Sequence, residues 1–327
     1  MQVAVTGASG RLGCALVRAL LDRGDTVRAL EIGVGTPPSL EGLEVELVHG
    51  DVLDREAVEK LVTGAEQLYH IAAKVDLDRD RDGSVWAVNV EGTRNIAKAC
   101  LAHGTRLVHC SSHHALVLAP LSEPLDETKP LALQHKCDYH RSKAHGEQLI
   151  HDMVRDTNLN AVVINPGTLT GPHDYEPSML GRSLIDLYHG RLPALMNAVT
   201  DCADARDVAA GAIAAAEKGR RGERYLLTGR AIGMRELSDT WAEITGVKMP
   251  RVNLPLWVGW AMVPFTLGAA RLAGRKPLFT PNMLRASVSN DVIRCDKARN
   301  ELGYATRSID ESLADAFAFF KAQGWLG

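Results

Sequence analysis

Tyr139 and Lys143 stand four residues apart in the stretch YHRSK, residues 139 to 143. On a helix that spacing puts both side chains on one face, with Cβ atoms about 5–6 Å apart. A phenol near pKa 10 is a weak base at neutral pH, but an adjacent ammonium favours the phenolate and draws the value down by about one to three units. Such a pair exchanges a proton with an alcohol or a carbonyl. A hydroxyl at the end of an earlier strand would complete the set by holding the reacting oxygen, and LVHCSSHH (107–114) supplies Ser111 and Ser112. By itself a Tyr and a Lys at this spacing also occur on any solvated helix. Their meaning depends on what the chain brings to the same edge.

The N-terminal stretch VAVTGASGRLGCAL (3–16) reads as strand, glycine turn and helix, with glycines at 7, 10 and 13. Gly7 permits the tight turn, Gly10 lets backbone approach a pyrophosphate and Gly13 lets the helix pack closely; the helix N-terminus adds amides and the positive end of a dipole. A glycine turn that serves packing alone is the competing reading. Glu31, twenty-four residues after Gly7, ends the second expected strand, where an acid binds a ribose 2′-hydroxyl and repels a 2′-phosphate. That favours NAD over NADP, with Arg11 as the residue that would reverse the preference. Asp51 in HGDVLD (49–54) ends the third strand, placed to meet an adenine amino group. A nicotinamide held at this edge would exchange a hydride while Tyr139 exchanges the proton.

Positioning these groups requires a parallel sheet. Short apolar runs at VAVT (3–6), TVRALE (26–31), EVELVHGD (44–51), QLYHIA (67–72), TRLVHCSS (105–112) and NAVVINP (160–166) alternate with helical patterns RLGCALVRALLDRG, DREAVEKLVTG and SVWAVNVEGTRNIAKACLAHG. A further helix is expected from about Tyr139 to Thr157. The alternation predicts an α/β fold: a Rossmann doubly wound parallel sheet with a smaller, mostly helical C-terminal substrate domain. The dinucleotide-binding domain is expected over 1–166, with 201–229 returning to it, and the substrate-binding subdomain over 167–200 and 230–327. Ser308 with Glu311 forms a capping box ahead of the last helix.

The 327 residues carry a net charge of −3, which offers no counterion-driven grip on nucleic acid. Six cysteines show no metal-ligand spacing and fit a reducing, cytoplasmic setting; MQVAVTG leads into the fold without a signal-like apolar stretch. LPLWVGWAMVPFTLGAA (254–270) carries no charge. A buried or pocket-lining helix is the plain reading of it, and a membrane-surface or membrane-spanning helix the alternative.

With these motifs in order, the sequence resembles the extended short-chain dehydrogenase/reductases of the NAD-dependent epimerase/dehydratase family. TGASGRLG, GDVLD, HIAAKV, NVEGTRN, CSS, YHRSK followed by Glu147, NPGTLTGP and KARNELGY carry the likeness across nearly the whole chain. DETKPLAL, NPGTLTGPHD and GERYLLTG point to the branch of dihydroflavonol 4-reductase-like, hopanoid-associated sugar epimerase-like and 3β-hydroxysteroid dehydrogenase proteins. The resemblance implies that Ser112 holds the substrate oxygen, that Tyr139 is the acid/base and that Lys143 also binds the nicotinamide ribose. It assigns Arg11 and Leu12 to the pyrophosphate turn, Val52 to adenine, Ala72, Ala73 and Lys74 to the middle of the coenzyme, and Asn89 and Pro166 to its vicinity. It also implies a homodimer.

Two departures qualify the likeness. Sugar-nucleotide enzymes of this family carry an arginine before the helix near Asp207, and here the chain reads VTDCADARDVA. His113 and His114 replace the usual small residues after the serine, and on a continuing strand they would point to opposite faces. The expected activity is NAD(H)-dependent interconversion of a secondary alcohol and a ketone, or reduction of an aldehyde, on a fairly apolar small molecule. The alternatives are an epimerase or dehydratase that retains its NAD and a non-catalytic dinucleotide sensor.

Overall fold

The computed structural model describes residues 1–77, 80–273 and 280–327; the part of the expected C-terminal region at 274–279 lies outside them. Twelve strands are described: β1 Gln2–Thr6, β2 Thr26–Glu31, β3 Val45–His49, β4 Gln67–His70, β5 Arg106–Cys110, β6 Ala161–Pro166, β7 Thr168–Thr170, β8 Leu195–Met196, β9 Val199–Asp204, β10 Arg224–Leu227, β11 Arg230–Gly233 and β12 Asn253–Leu254. Seven form one sheet in the order β10-β6-β5-β4-β1-β2-β3, every pairing parallel. The order reverses between β1 and β4, which opens a crevice at the carboxyl ends of the strands.

The helices are α1 Arg11–Asp22, α2 Arg55–Val62, α3 Ser84–Trp86, α4 Thr93–His103, α5 Asp138–Asp156, α6 Met179–Tyr188, α7 Ala205–Lys218, α8 Met234–Thr245, α9 Leu256–Ala273, α10 Pro281–Ala286, α11 Asp296–Leu302 and α12 Ile309–Ala322. Successive residues of β1 face opposite ways and build two cores. Val3 and Val5 pack with Leu16 and Leu20 of α1 and Val208 and Ala212 of α7. Ala4 packs with Leu61, Ile96 and Ile150 from α2, α4 and α5. A separate core around Trp241, Leu313 and Phe320 holds α6, α8 and α12 together.

Side-chain caps fix where several helices start: Asp54 accepts from the amides of Glu56 and Ala57 at 3.0 and 3.3 Å, and Ser308 from that of Glu311 at 3.1 Å. The run expected as one helix over 84–104 is instead α3, a π-helical turn over Ala87–Gly92, and α4. A three-stranded sheet, β11-β9-β7, stands beside the main one. None of its three strands is among the runs expected from the sequence.

Candidate active site

The carboxyl end of β5 and the first turns of α5 meet at the crevice. Ser112, just past β5, turns the chain into a single 3₁₀ turn by accepting from the His114 amide at 3.1 Å. The Tyr139 phenol lies near enough to the Ser112 side chain for that hydroxyl to favour its ionised form. Lys143 is buried, and its Nζ donates to the Cys110 carbonyl at 2.6 Å. The structure thus brings Ser112, Tyr139 and Lys143 together at one strand end.

The electrostatics differ from the expectation. Burial pushes the Tyr139 phenol up from its ordinary value, with the nearby Ser112 hydroxyl acting the other way. The ammonium is turned to a carbonyl rather than to the phenol, so removing a phenolate from water dominates. Burial also lowers Lys143, opposed by the Glu147 carboxylate one turn on.

Behind these residues stands a polar layer that sequence reasoning missed. Glu147 is fully buried, paired with Arg224 at 2.9 Å, and accepts from Asn165 Nδ2 at 2.8 Å. The same Asn165 amide donates to the Ser112 carbonyl at 3.0 Å. One buried amide therefore ties the strand end that carries the serine to the helix that carries the tyrosine. The signal was available: Asn165 is the one polar residue inside the apolar run VVINP.

A second clasp faces the glycine turn. Asn89, in the π-helical turn, accepts from the Lys74 amide at 2.8 Å and donates to the Lys74 carbonyl at 3.0 Å and to Ser142 Oγ at 2.9 Å. Ser142 in turn donates to the Tyr139 carbonyl at 2.8 Å. The segment Ala72–Lys74 is thus fastened to α5 between Tyr139 and Lys143. Gly146 allows the approach, since a Cβ there would stand 2.7 Å from the Asn89 carbonyl oxygen. A π turn with such a role is a recurrent feature of functional sites.

Across the crevice, Gly7 has φ +69° and a Cβ on it would meet the Ala72 amide at 2.7 Å. At Gly13 a Cβ would lie 2.0 Å from the Gly7 carbonyl oxygen. The turn therefore keeps backbone open in front of the α1 N-terminus, a cradle whose amides and dipole suit a pyrophosphate. Glu31 is buried at the end of β2, accepting from the Ser9 amide at 2.9 Å and from Ser9 Oγ at 2.8 Å. Burial raises its pKa, with the Ser9 hydrogen bonds opposing. These residues fit a dinucleotide.

Other expected coenzyme residues are placed as follows. Leu12 is buried in the first turn of α1 and Val52 against Gly92. Asp51 caps its own turn, accepting from the Leu53 amide at 2.8 Å. The Pro166 carbonyl accepts from His113 Nδ1 at 3.2 Å. The Arg11 guanidinium is buried in an ion pair with Asp174 at 2.5 Å and donates to the Leu169 carbonyl at 2.5 Å. Its charge is committed within the protein, which removes it as a partner for a 2′-phosphate.

The two histidines after the serine do not part to opposite faces. The 3₁₀ turn brings the His113 and His114 rings to 3.9 Å between centroids, and His114, His140 and His135 continue the stack at 4.3 and 4.5 Å. Burial lowers all three of the latter, His140 to about 3. Among the described residues no group of His, Cys, Asp or Glu is arranged to hold a metal ion.

A model of the NAD dependent epimerase/dehydratase family matches residues 3–227. Sterol demethylase protein B of Methylococcus capsulatus is 36% identical, the alignment covering all of both chains. A putative dihydroflavonol 4-reductase of Synechocystis is 31% identical over 98% of this chain and 95% of its own. The crystal structure of a dTDP-glucose 4,6-dehydratase from Streptomyces venezuelae with NAD bound superposes with a TM-score of 0.79 at 21% identity, covering 99% of this chain and 98% of that one. That last likeness concerns the fold.

Proposed function

The chain belongs to the NAD dependent epimerase/dehydratase family, and from that premise we propose an NAD(H)-dependent oxidoreductase that interconverts a secondary alcohol and a ketone, or reduces an aldehyde, on a fairly apolar small molecule. The observation that supports the reading is the gathering of Tyr139, Ser112 and Lys143 at the end of β5, on a helix clasped through Asn89 to the Ala72–Lys74 segment that packs against Gly7. In this reading Gly7, Gly10 and Gly13 with the α1 amides hold the pyrophosphate, Glu31 the adenosine ribose, and Lys143 and the clasped segment Ala72–Lys74 the remainder. A nicotinamide bound there supplies or accepts the hydride. Ser112 orients the substrate oxygen through its hydroxyl, and Tyr139 gives that oxygen its proton in reduction or removes it in oxidation. Burial keeps the phenol protonated, which suits it to act as the acid in carbonyl reduction.

An apolar substrate is supported by two features. The relatives named above include a sterol demethylase protein and a putative dihydroflavonol reductase. The arginine next to β9, Arg206, is engaged by Asp204 at 2.8 Å and Asp315 at 2.6 Å rather than free for a sugar nucleotide.

The test is to release and identify any dinucleotide carried by the purified protein, then follow NADH absorbance against sterol, flavonoid and aliphatic ketones. Net NADH oxidation is expected with at least one apolar carbonyl. Tightly retained NAD with no net NADH change, and epimerisation of a sugar, would replace this reading with a hydride-retaining epimerase.

A further inference from the structure

Helix α9 presents an apolar face to solvent. Trp257, Trp260, Ala261, Met262, Pro264, Phe265 and Gly268 are all exposed, and at about 100° per residue they fall within an arc of roughly 200°. The two most exposed rings are Phe265 at 71% and Trp257 at 68%, with Trp260 at 38%. Gly259 and Val263 lie buried on the opposite side, Gly259 against Met196 and Leu284. Helix α9 is therefore anchored on one side and bare on the other. No helix among the described residues is long and apolar enough to cross a membrane.

The charge of the sequence on either side of the helix is one-sided. From 244 to 290 the sequence contains no Asp or Glu and six cations, Lys248, Arg251, Arg271, Arg275, Lys276 and Arg285, in a chain whose net charge is −3. Lys248 and Arg251 are exposed just ahead of the helix, and the Arg285 guanidinium sits over the Trp260 ring at 5.3 Å. Exposed tryptophan and phenylalanine flanked by cations is the pattern of a helix that lies in a lipid interface and is held there by anionic headgroups.

We infer that this face docks the protein on the surface of an anionic lipid bilayer. The aromatic rings enter the headgroup region while Lys248 and Arg251 meet the phosphates. Arg285 also lies close enough to His135 and Cys137, four and two residues before Tyr139, to act on their ionisation. The docked face thus adjoins the approach to α5. Provided that the substrate is apolar as proposed above, docking delivers it from the bilayer to the catalytic helix.

The test is flotation of the full-length protein with vesicles of equal parts phosphatidylcholine and phosphatidylglycerol, and with phosphatidylcholine alone. Wild type should float with the anionic vesicles, less in high salt, and little with phosphatidylcholine alone. W257S/F265S should lose about a hundredfold in partitioning, from the aromatic area withdrawn from the interface, with unchanged thermal unfolding. K248E/R251E, which leaves the rings in place, should lose binding to the anionic vesicles alone. Three results would overturn the inference: wild type that floats with neither vesicle, W257S/F265S that floats as well as wild type, or a dimer that W257S/F265S dissociates without any flotation, which would give the face to a second copy. Flotation needs no turnover, so its failure and a failure of the NADH assay are separate outcomes.

Discussion

Replacing Glu147 with Gln should destabilise the protein and disturb the site together. The carboxylate is fully buried, 2.9 Å from Arg224 Nε and 2.8 Å from Asn165 Nδ2. Gln keeps one oxygen for Asn165 but turns an amide donor toward the guanidinium, which leaves a buried cation without its counter-charge. Removing one partner of such a pair costs about 3–5 kcal/mol, and for a chain of this size each kcal/mol lowers Tm by about 2 °C, so the melting point should fall by about 6–10 °C. The pH dependence has a definite sign. Although burial alone would raise Glu147, its hydrogen bonds and Arg224 hold its pKa below the ordinary carboxylate value. Its contribution is therefore complete above the unfolded-state value near 4.3 and is lost as pH falls through the lower native value. Urea unfolding at neutral pH should show the full gap between wild type and E147Q, and the gap should close in acid. Because Glu147 also supports the charge of Lys143, the alkaline limb of kcat should move to lower pH in E147Q. A variant within 1 kcal/mol of wild type at pH 7 would refute the view that this carboxylate braces the site.

Three further outcomes are expected. Tyr139→Phe should lower kcat by about 10²–10⁴-fold with dinucleotide binding, measured by fluorescence titration, within a factor of about two; undiminished turnover would remove Tyr139 as the acid/base. Glu31→Ala should shift coenzyme preference toward NADP in paired kcat/KM measurements, since it frees the two Ser9 donors and removes the negative charge at the end of β2; wild type that already prefers NADP would contradict the role given to Glu31. Gly13→Ala should weaken dinucleotide binding more than tenfold in calorimetry, because its Cβ would stand 2.0 Å from the Gly7 carbonyl oxygen and the turn must shift.

The sequence made the main sheet and the candidate site residues readable because both depend on local patterns. Gly7, Gly10 and Gly13 mark a turn through the sterics of a missing Cβ, and Tyr139 and Lys143 share a helix face by spacing alone. What stayed hidden depends on contacts between distant segments. The π-helical turn over 87–92 inserts an extra residue that an apolar period of 3.6 does not register. The three-stranded sheet joins 168–170, 199–204 and 230–233, short runs whose Thr and Asp residues carry no strand pattern of their own. His113 and His114 were expected on an extended strand, whereas the Ser112 side chain accepts from the His114 amide and bends the chain. The phenol's ionisation followed burial, a property of the assembled crevice, rather than the nearby ammonium.

The Arg11–Asp174 pair has a mechanical consequence. One guanidinium at the root of the glycine-turn helix is stapled to the loop after β7 and to the Leu169 carbonyl, with both charged side chains shut away from solvent. Prising that loop off the helix would strand two ions in a dry seam. The glycine-turn helix and the segment from β7 into the following loop are consequently held as a single rigid piece.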